Sequence, residues 1–300
     1  MIQIGVDFGG TKIEAAALDA EGRFLSRVRA PNPGAYDQAI RAVRDLVVRA
    51  EGEAGAQGTI GVGMPGSVSP RDGRLYNANA TFLNGRHFRE DLSAAIGREV
   101  RVANDANCLA LSEAVDGAAA GARVAFAVIV GTGVGGGLCV DGRIVEGANG
   151  LGGEWGHVPL PWMRADEFPG PDCWCGRQGC LDVLISGTGL QHDYRRRSGA
   201  RLNGPAIIAA ARSGDSAALA CLHAYVDRLG RALAMLANTL DPDVFVLGGG
   251  MSNVPEIYAR LPEVIAAHAF GGLWQGRIEP ARWGDSSGVR GAARLWPAQA

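Results

Sequence analysis

The chain has 300 residues, a formal net charge of −2 and a pI of about 6.2, and 47% of its residues are hydrophobic. This length and composition allow a large buried core and favour two lobes. The near-neutral charge disfavours nucleic acid and anionic membranes as partners. The chain does not open with a basic segment followed by an apolar one, and it has no run of about 18 apolar residues, so we expect a cytoplasmic protein.

Strand and helix patterns alternate along the first part of the chain. Three apolar segments of strand length come first, and then helix and strand patterns take turns. Such alternation predicts an α/β protein built in layers. The predicted strands cover 2–8, 12–19, 22–29, 59–65 and 99–104, and the predicted helices cover 36–54, 88–97 and a segment that starts at Asp105.

The same succession restarts at Val124, where a strand, a glycine turn, a second strand and a tight turn follow one another. We interpret this as a degenerate internal duplication, with both glycine turns facing a shared cleft. Further helices are predicted at 203–212, 215–238, 254–268 and 286–296, and a further strand at 243–249. We expect one lobe at 1–115, joined by a C-terminal helix at about 286–300, and a second lobe at 116–285.

The first glycine turn, DFGGTK at 7–12, ends a predicted strand. Glycines at this point let backbone N–H groups approach an anion. Asp7 is suited to hold Mg²⁺ through water, and Thr11 and Lys12, the only lysine of the chain, add side-chain donors. The alternative is an ordinary hairpin turn. A Walker A loop is excluded because its spacing is absent and a strand pattern follows.

The second glycine turn, GTGVGG at 131–136, matches the G-x-G-x-x-G fingerprint of dinucleotide-binding oxidoreductases. That fingerprint requires a helix at its third glycine, whereas a short apolar strand and a tight turn follow here. A nucleotide clamped by two hairpins, one from each lobe, fits the pattern better. A third turn, LGGGM at 247–251, is suited to lie against adenosine or is a simple strand-to-helix connection.

The segment VANDANC places Asn104 and Asp105 at the end of a predicted strand and the start of a helix. Ligand-binding groups of α/β proteins lie at such strand ends. Asp105 is either the N-cap of that helix or a base that accepts the proton of an attacking sugar hydroxyl. In the second case Asn104 supplies orienting hydrogen bonds.

Three of the six cysteines lie within CWCGRQGC at 173–180. Cys173, Cys175 and Cys180 have the spacing of three metal ligands, and His157 of the upstream GGEWGH supplies a fourth, the Cys₃His set of closed structural zinc sites. A cytosolic chain keeps such thiols reduced. The alternative is a chance cluster of cysteines.

Two carboxylates flank this motif, since Glu154 lies three residues before His157 and Asp182 lies two residues after Cys180. A metal that fixes both segments would bring both carboxylates towards one pocket, where they suit sugar hydroxyls as acceptors. The alternative is that both are merely solvated.

Together these motifs resemble the ROK family of bacterial sugar kinases, which have the actin-like ATPase fold with two ribonuclease-H-like lobes and an interlobe cleft. The resemblance covers nearly the whole chain. Within the family the chain is most similar to the fructokinase or manno(fructo)kinase group. The motifs that carry the resemblance are DFGGTK, GVGMPGSVSP, NANATFLNG, VANDANC, GTGVGGG, GEWGH, CWCGRQGC, ISGTG and DPDVFVLGGGMSN.

The resemblance implies an ATP:hexose 6-phosphotransferase with Mg²⁺ and structural zinc, in which Asp105 is the catalytic base. It implies that the sugar is bound by Asn79, Asn104, Asp105, Glu154, His157 and Asp182. It implies that ATP is bound by Asp7, Gly9, Gly10, Thr11, Lys12, Gly131, Thr132, Gly133, Gly135, Gly248 and Gly249. Family members commonly carry Glu at the position of Asp182, and this departure bears on which sugar is preferred.

Fructose is the expected substrate, with N-acetylglucosamine, mannose and glucose as alternatives. Relatives suggest a homodimer. Repressors of the family carry a helix-turn-helix ahead of the first lobe, and the first predicted strand begins at Ile2, so we expect an enzyme. A catalytically silent sugar sensor is the alternative outside enzymology.

Overall fold

The computed structural model describes residues 2–297, which form two compact units. One unit comprises the described residues up to Gly121, Gly137–Gly153 and the described residues from Arg282; the other comprises Ala122–Gly136 and Glu154–Ala281. The predicted lobes change over twice, after 115 and after 285. The chain passes between the observed units four times, after 121, 136, 153 and 281. The last three residues of the predicted C-terminal helix lie outside the described range.

Twelve strands and nine α-helices are found in the described range. The strands are β1 (Ile2–Phe8), β2 (Lys12–Leu18), β3 (Phe24–Pro31), β4 (Gly58–Met64), β5 (Ser67–Val68), β6 (Leu75–Tyr76), β7 (Val100–Asn104), β8 (Val124–Val130), β9 (Val134–Val140), β10 (Arg143–Ile144), β11 (Val244–Gly248) and β12 (Arg277–Pro280). The helices are α1 (Tyr36–Ala54), α2 (Phe88–Ile96), α3 (Asp105–Asp116), α4 (Leu181–Leu184), α5 (Gly187–Ser198), α6 (Gly204–Arg212), α7 (Ser216–Leu240), α8 (Pro255–His268) and α9 (Ser287–Ala293).

The first sheet has the strand order β3-β2-β1-β4-β7, in which β1 is antiparallel to β2 and parallel to β4. Helix α1 packs on β2 and β3, and α9 packs on β1, β4 and α3. The contact with α9 depends on small residues in the sheet. A Cβ atom at Gly5 or at Gly61 would lie 1.9 Å from a carbonyl oxygen of α9, so only glycine allows this close approach.

The C-terminal segment is fastened to α3 by one buried carboxylate. Glu113, which is 0% exposed, accepts hydrogen bonds from the backbone nitrogens of Arg282 and Trp283 at 3.0 and 3.2 Å. It also accepts one from the Ser287 hydroxyl at 2.9 Å. A carboxylate without exposure must be satisfied in this way, and the bonds fix the entry into α9.

The second sheet has the order β10-β9-β8-β11-β12. If the five strands of each sheet are numbered 1 to 5 in chain order, both sheets have the spatial order 3-2-1-4-5. Strands β8, β11 and β12 pair in parallel, as β1, β4 and β7 do. The repeated topology agrees with the internal duplication expected from the sequence.

Some elements were not predicted from the sequence, among them α5 and β12. Helix α5 opens with GTG and buries few apolar side chains, so its periodicity is weak; its N-cap is Ser186, whose hydroxyl accepts from Gly189 N at 2.9 Å. Strand β12 is a four-residue edge strand, RIEP, without apolar alternation. Within residues 2–297 there is no helix whose length and apolar character would suit a membrane span.

Candidate active site

The first glycine turn joins the antiparallel strands β1 and β2. Asn32 holds it, because its side-chain nitrogen donates to Gly9 O at 2.8 Å and its backbone nitrogen donates to Thr11 O at 2.9 Å. Gly10, Thr11 and Lys12 are exposed, so the turn presents its tip to solvent. Asn32 was not predicted as a site residue; its only sequence signal is the turn-forming NPG that follows β3.

Asp7 lies at the end of β1 and is half-buried. Burial raises the pKa of its carboxyl group, the negative charge of Glu14 raises it further, and the positive charge of Lys12 opposes both. The start of α9 comes close to this carboxylate, since a Cβ atom at Gly288 would lie 3.3 Å from Asp7 Cγ. A larger residue at 288 would therefore narrow the space around a carboxylate that is suited to a cation.

Asn104 and Asp105 occupy the junction of β7 and α3. Asn104 Oδ1 accepts from Ala106 N at 2.9 Å, and its Nδ2 donates to Gly66 O at 3.1 Å. Asn104 is therefore the N-cap, and the reading of Asp105 as the N-cap is wrong. Asp105 is the first residue of the helix, is exposed, and accepts from Ala106 N at 2.8 Å through one carboxylate oxygen.

Asn79 is exposed on the loop that precedes a short 3-10 helix at Thr81–Leu83. Asn84 fixes this loop, because its Oδ1 accepts from Ala78 N at 2.9 Å and its Nδ2 donates to Ala78 O at 3.1 Å. Of the three asparagines in the NANATFLNG motif, Asn84 shapes the loop, and Asn77 and Asn79 are exposed on it. The sequence alone did not separate these two roles.

In the second unit the structure brings the four expected metal ligands together. The ligand atoms of His157, Cys173, Cys175 and Cys180 all lie within 4.8 Å of one another. Cys173 Sγ is 3.6 Å from His157 Nδ1, and Cys175 Sγ is 3.6 Å from Cys180 Sγ. A tetrahedral zinc with Zn–S bonds of about 2.3 Å holds its sulfurs about 3.7 Å apart, so the four residues fit this metal.

Backbone pairing aligns the two segments that carry these ligands. Leu160 N donates to Gly179 O at 2.9 Å, and Leu181 N donates to Val158 O at 3.0 Å. Between the cysteines a tight loop is closed by Cys173 N, which donates to Arg177 O at 2.7 Å. This local backbone pairing helps to bring the four ligands together.

The second glycine turn leads from β8 into strand β9 and not into a helix, which excludes the dinucleotide-binding fingerprint. Its backbone is held by the segment after Cys180. Asp182 Oδ1 accepts from Val134 N at 2.8 Å, and Gly187 N donates to Gly131 O at 2.7 Å. The Asp182 carboxylate thus binds the glycine turn, a contact different from the sugar contact that the sequence suggested.

Glu154 is half-buried and directly precedes the 3-10 helix Trp155–His157. The buried Trp155 ring anchors this helix, since its Nε1 donates to Gly135 O at 2.9 Å and its ring packs edge-on against Phe126 at 5.7 Å. The anchored segment fixes the backbone positions of both Glu154 and His157. Trp155 is a further site-shaping residue that sequence reasoning missed.

A cavity of about 800 Å³ opens beside the second glycine turn. Both polar donors and apolar side chains line it, which suits a nucleoside. The third turn contributes Gly250 to the lining, and Gly248 and Gly249 are not among the lining residues. The cavity is lined by Gly131, Thr132, Gly187, Thr188, Gln191, Asn203, Gly204, Pro205, Ile208, Arg212, Gly250, Met251, Asn253 and Val254.

Comparison with known proteins identifies the fold and the family. The model of the ROK family matches residues 3–299. The chain belongs to the ROK family. This ROK protein is 41% identical over 296 residues to the N-acetyl-D-glucosamine kinase of Pectobacterium atrosepticum, a match that covers 97% of each chain.

Two solved structures extend the comparison. The ROK hexokinase from Thermus thermophilus matches with a TM-score of 0.87 and 36% identity over 98% of this chain and 97% of that one. The ROK family glucokinase from Streptomyces griseus, solved with glucose and AMPPNP, matches with a TM-score of 0.81 and 29% identity over 98% and 99%. This ROK protein is therefore an ATP-dependent hexose kinase with the actin-like ATPase fold.

Proposed function

We propose that this kinase transfers the γ-phosphoryl group of ATP to O6 of a hexose, with fructose as its preferred substrate. The observation that carries the assignment of the chemistry is the state of Asp105. Its neighbour Asn104 is the N-cap of α3, and Asp105 places an exposed carboxylate at the first position of that helix, at the end of β7. A carboxylate so placed is suited to accept the proton of a sugar hydroxyl.

The residues proposed to bind the sugar are polar groups whose backbone is fixed by neighbours. Asn84 fixes the loop of Asn79, and Trp155 fixes the segment of Glu154 and His157. His157 Nδ1 faces the cysteine cluster, which leaves Nε2 for a sugar hydroxyl. Asn79, Asn104, Glu154 and His157 are proposed to hold the hydroxyl groups so that O6 is presented for attack.

The proposed reaction is an in-line displacement at the γ-phosphorus. As the bond from O6 to phosphorus forms, Asp105 takes the hydroxyl proton, the bond from phosphorus to the β,γ-bridging oxygen breaks, and ADP leaves. Backbone N–H groups of the two glycine turns stabilise the charge on the transferred group. Exclusion of water from the site prevents transfer to water.

Mg²⁺ is proposed to be held through water by Asp7, and the ion neutralises phosphate charge when it is bound. Asp7 is half-buried, and the small Gly288 beside it keeps a side chain from crowding the carboxylate. Thr11 and Lys12 are proposed to contact the phosphates from the exposed tip of the same turn. The nucleoside is assigned to the cavity beside the second glycine turn.

Zinc is proposed to be structural. Cys173, Cys175, Cys180 and His157 provide four ligands with tetrahedral spacing. A site with four protein ligands has no open position for water, so zinc shapes the segments around it and does not activate a nucleophile.

The choice of fructose is supported by the motifs shared with the fructokinase group, such as NANATFLNG and ISGTG. N-acetylglucosamine is the second candidate, because a relative that is 41% identical over 97% of this chain is an N-acetyl-D-glucosamine kinase. The proposal further includes a homodimer in the cytoplasm, without nucleic-acid or membrane partners.

A coupled assay of ADP release tests this proposal with fructose, N-acetylglucosamine, mannose and glucose, each over a range of concentrations. We expect the highest kcat/KM for fructose and a product phosphorylated at O6, which nuclear magnetic resonance identifies. A higher kcat/KM for N-acetylglucosamine would transfer the assignment to that sugar. ATP consumption that does not rise with any of the four would contradict the proposed reaction and favour a sugar sensor.

A further inference from the structure

One short segment, residues 182–188, forms three hydrogen bonds with the second glycine turn. Asp182 Oδ1 accepts from Val134 N at 2.8 Å, and Thr188 Oγ1 donates to Thr132 O at 2.8 Å. The third bond runs from Gly187 N to Gly131 O at 2.7 Å. This segment begins two residues after the metal ligand Cys180.

The other metal-bearing segment contacts the same stretch of chain. Trp155 Nε1 donates to Gly135 O at 2.9 Å, and Trp155 lies two residues before His157. A Cβ atom at Gly156 would lie 2.3 Å from Val134 O, so the backbone of this segment lies directly on β9. Both segments that carry the metal ligands therefore contact the turn assigned to the phosphates of ATP.

The Asp182 carboxylate packs closely against the second glycine turn. A Cβ atom at Gly133 would lie 2.8 Å from Asp182 Oδ1, so the turn needs glycine at this position. The bond to Val134 N fixes the peptide plane between Gly133 and Val134, and a hydrogen bond that involves a charged group is stronger than a neutral one.

We propose that Asp182 is a positioning residue for the nucleotide, and that the metal cluster sets the affinity for nucleotide through residues 182–188. This inference rests on the proposed nucleotide and zinc sites. It assigns to Asp182, for which the sequence suggested only a sugar contact, a structural role at the phosphate turn through Oδ1. Substitution of Asp182 is therefore expected to weaken nucleotide binding and to leave sugar binding unchanged.

The first test compares Asp182→Ala, which removes the acceptor, with Asp182→Asn, which keeps an oxygen for Val134 N. Calorimetric titration with Mg·ADP and, separately, with fructose measures the two affinities, and atomic absorption measures zinc. We expect Asp182→Ala to weaken Mg·ADP binding about tenfold, the loss of one charged hydrogen bond, with fructose affinity within about twofold. Asp182→Asn should recover most of the nucleotide affinity.

The matched control is Asp172→Ala, which removes an exposed carboxylate of the same cysteine loop. Asp172 accepts from Gln178 Nε2 of its own hairpin at 2.8 Å. This variant should change neither affinity. A loss of fructose affinity in Asp182→Ala with Mg·ADP affinity intact would overturn the inference, and so would two unchanged affinities. If Asp182→Ala does not fold, Asp182→Ser takes its place, and because it also removes the carboxylate it should likewise weaken Mg·ADP binding.

The second test removes zinc from the intact protein with a chelator and then restores it. Mg·ADP affinity should fall in step with zinc content and return when zinc is added back. If Mg·ADP affinity does not change with zinc content, the metal cluster does not set nucleotide affinity and this part of the inference is refuted. These binding readouts are independent of turnover: if no hexose is phosphorylated but Mg·ADP binding follows Asp182 and zinc, the proposed reaction fails and the inference holds.

Discussion

Asn104 Oδ1 lies 2.9 Å from the backbone nitrogen of Ala106, so Asn104 caps the helix on which Asp105 is the first residue. The helix N-terminus carries a partial positive charge that stabilises a carboxylate there. Capping by the asparagine thus divides two tasks between adjacent residues. Asn104 is the N-cap, and Asp105 places an exposed carboxylate at the first position of the helix.

The first prediction concerns the base. Asp105→Ala should lower kcat with the preferred hexose by about 10²- to 10⁴-fold, because the proton of the attacking hydroxyl loses its acceptor. The measurement is the coupled ADP-release assay together with a thermal melt. Asp37→Ala is the control, since Asp37 is an exposed acid in the first turn of α1, and it should leave turnover unchanged. Near-normal turnover of Asp105→Ala would refute the assigned base.

A second prediction separates capping from sugar binding at Asn104. Asn104→Ala should lower the free energy of unfolding by about 1 kcal/mol through loss of the N-cap, whereas Asn104→Ser should keep most of that stability. Both should raise KM for the hexose if the side chain contacts it. Asp215→Ala removes the N-cap of α7, where Asp215 accepts from Ala218 N at 2.7 Å, and serves as the stability control. Urea denaturation and steady-state kinetics distinguish the two effects, and an unchanged KM in Asn104→Ser would argue against a sugar contact.

The third prediction concerns the metal. Purified protein should contain about one zinc per chain, and Cys175→Ser should abolish this content because three ligands remain. Cys221→Ala is the control, since Cys221 is buried in α7 and is not one of the four clustered ligands, and it should retain the metal. Atomic absorption on both variants gives the answer, and equal zinc in Cys175→Ser and wild type would disprove the ligand assignment.

The fourth prediction uses the buried ion pairs that fasten the loop between the metal-bearing segments to α7. Glu167 pairs with Arg231 and Arg228 at 2.8 Å each, and its side chain is 6% exposed. Burial acts to raise the pKa of Glu167, but hydrogen bonds from Arg231, the Arg164 backbone and Arg228 outweigh it and hold the pKa at about 2. A folded-state pKa below the ordinary 4.5 means that the charged form stabilises the fold.

This contribution is complete above about pH 5 and is lost as the pH falls from 4.5 through 2. Glu167→Gln should therefore lower the free energy of unfolding by about 3 kcal/mol at pH 7, with a smaller difference from wild type at each step down to pH 3. Denaturant titrations at several pH values measure the difference in free energy of unfolding between the two proteins. Because both proteins share any acid-induced loss of zinc, only the difference between them reports on Glu167, and a difference independent of pH would contradict the prediction.

Much of the fold followed from periodicity. The helix over 36–54 and the strand over 2–8 have the bounds that the apolar pattern predicted, because both bury a continuous apolar face. Helix α5 and strand β12 were not predicted, because α5 depends on capping by Ser186 and β12 depends on edge pairing with β11. Short polar elements carry too little pattern to be recognised alone.

For the site, the sequence by itself determined the chemistry of the parts: the glycine turns, the Asn104–Asp105 pair and the ligand set of His157 with three cysteines, because spacing and residue type dictate what such groups can bind. Only the tertiary structure decided what each side chain touches. It showed that Asn104 and not Asp105 caps α3, that Asn32 and Asn84 hold their loops, and that Asp182 binds Val134 N. The Asn32 and Asp182 contacts join residues 23 and 48 positions apart in the chain. The Asn84 and Asn104 contacts are local, but no local pattern encodes the direction in which a side chain finds its hydrogen-bond partner.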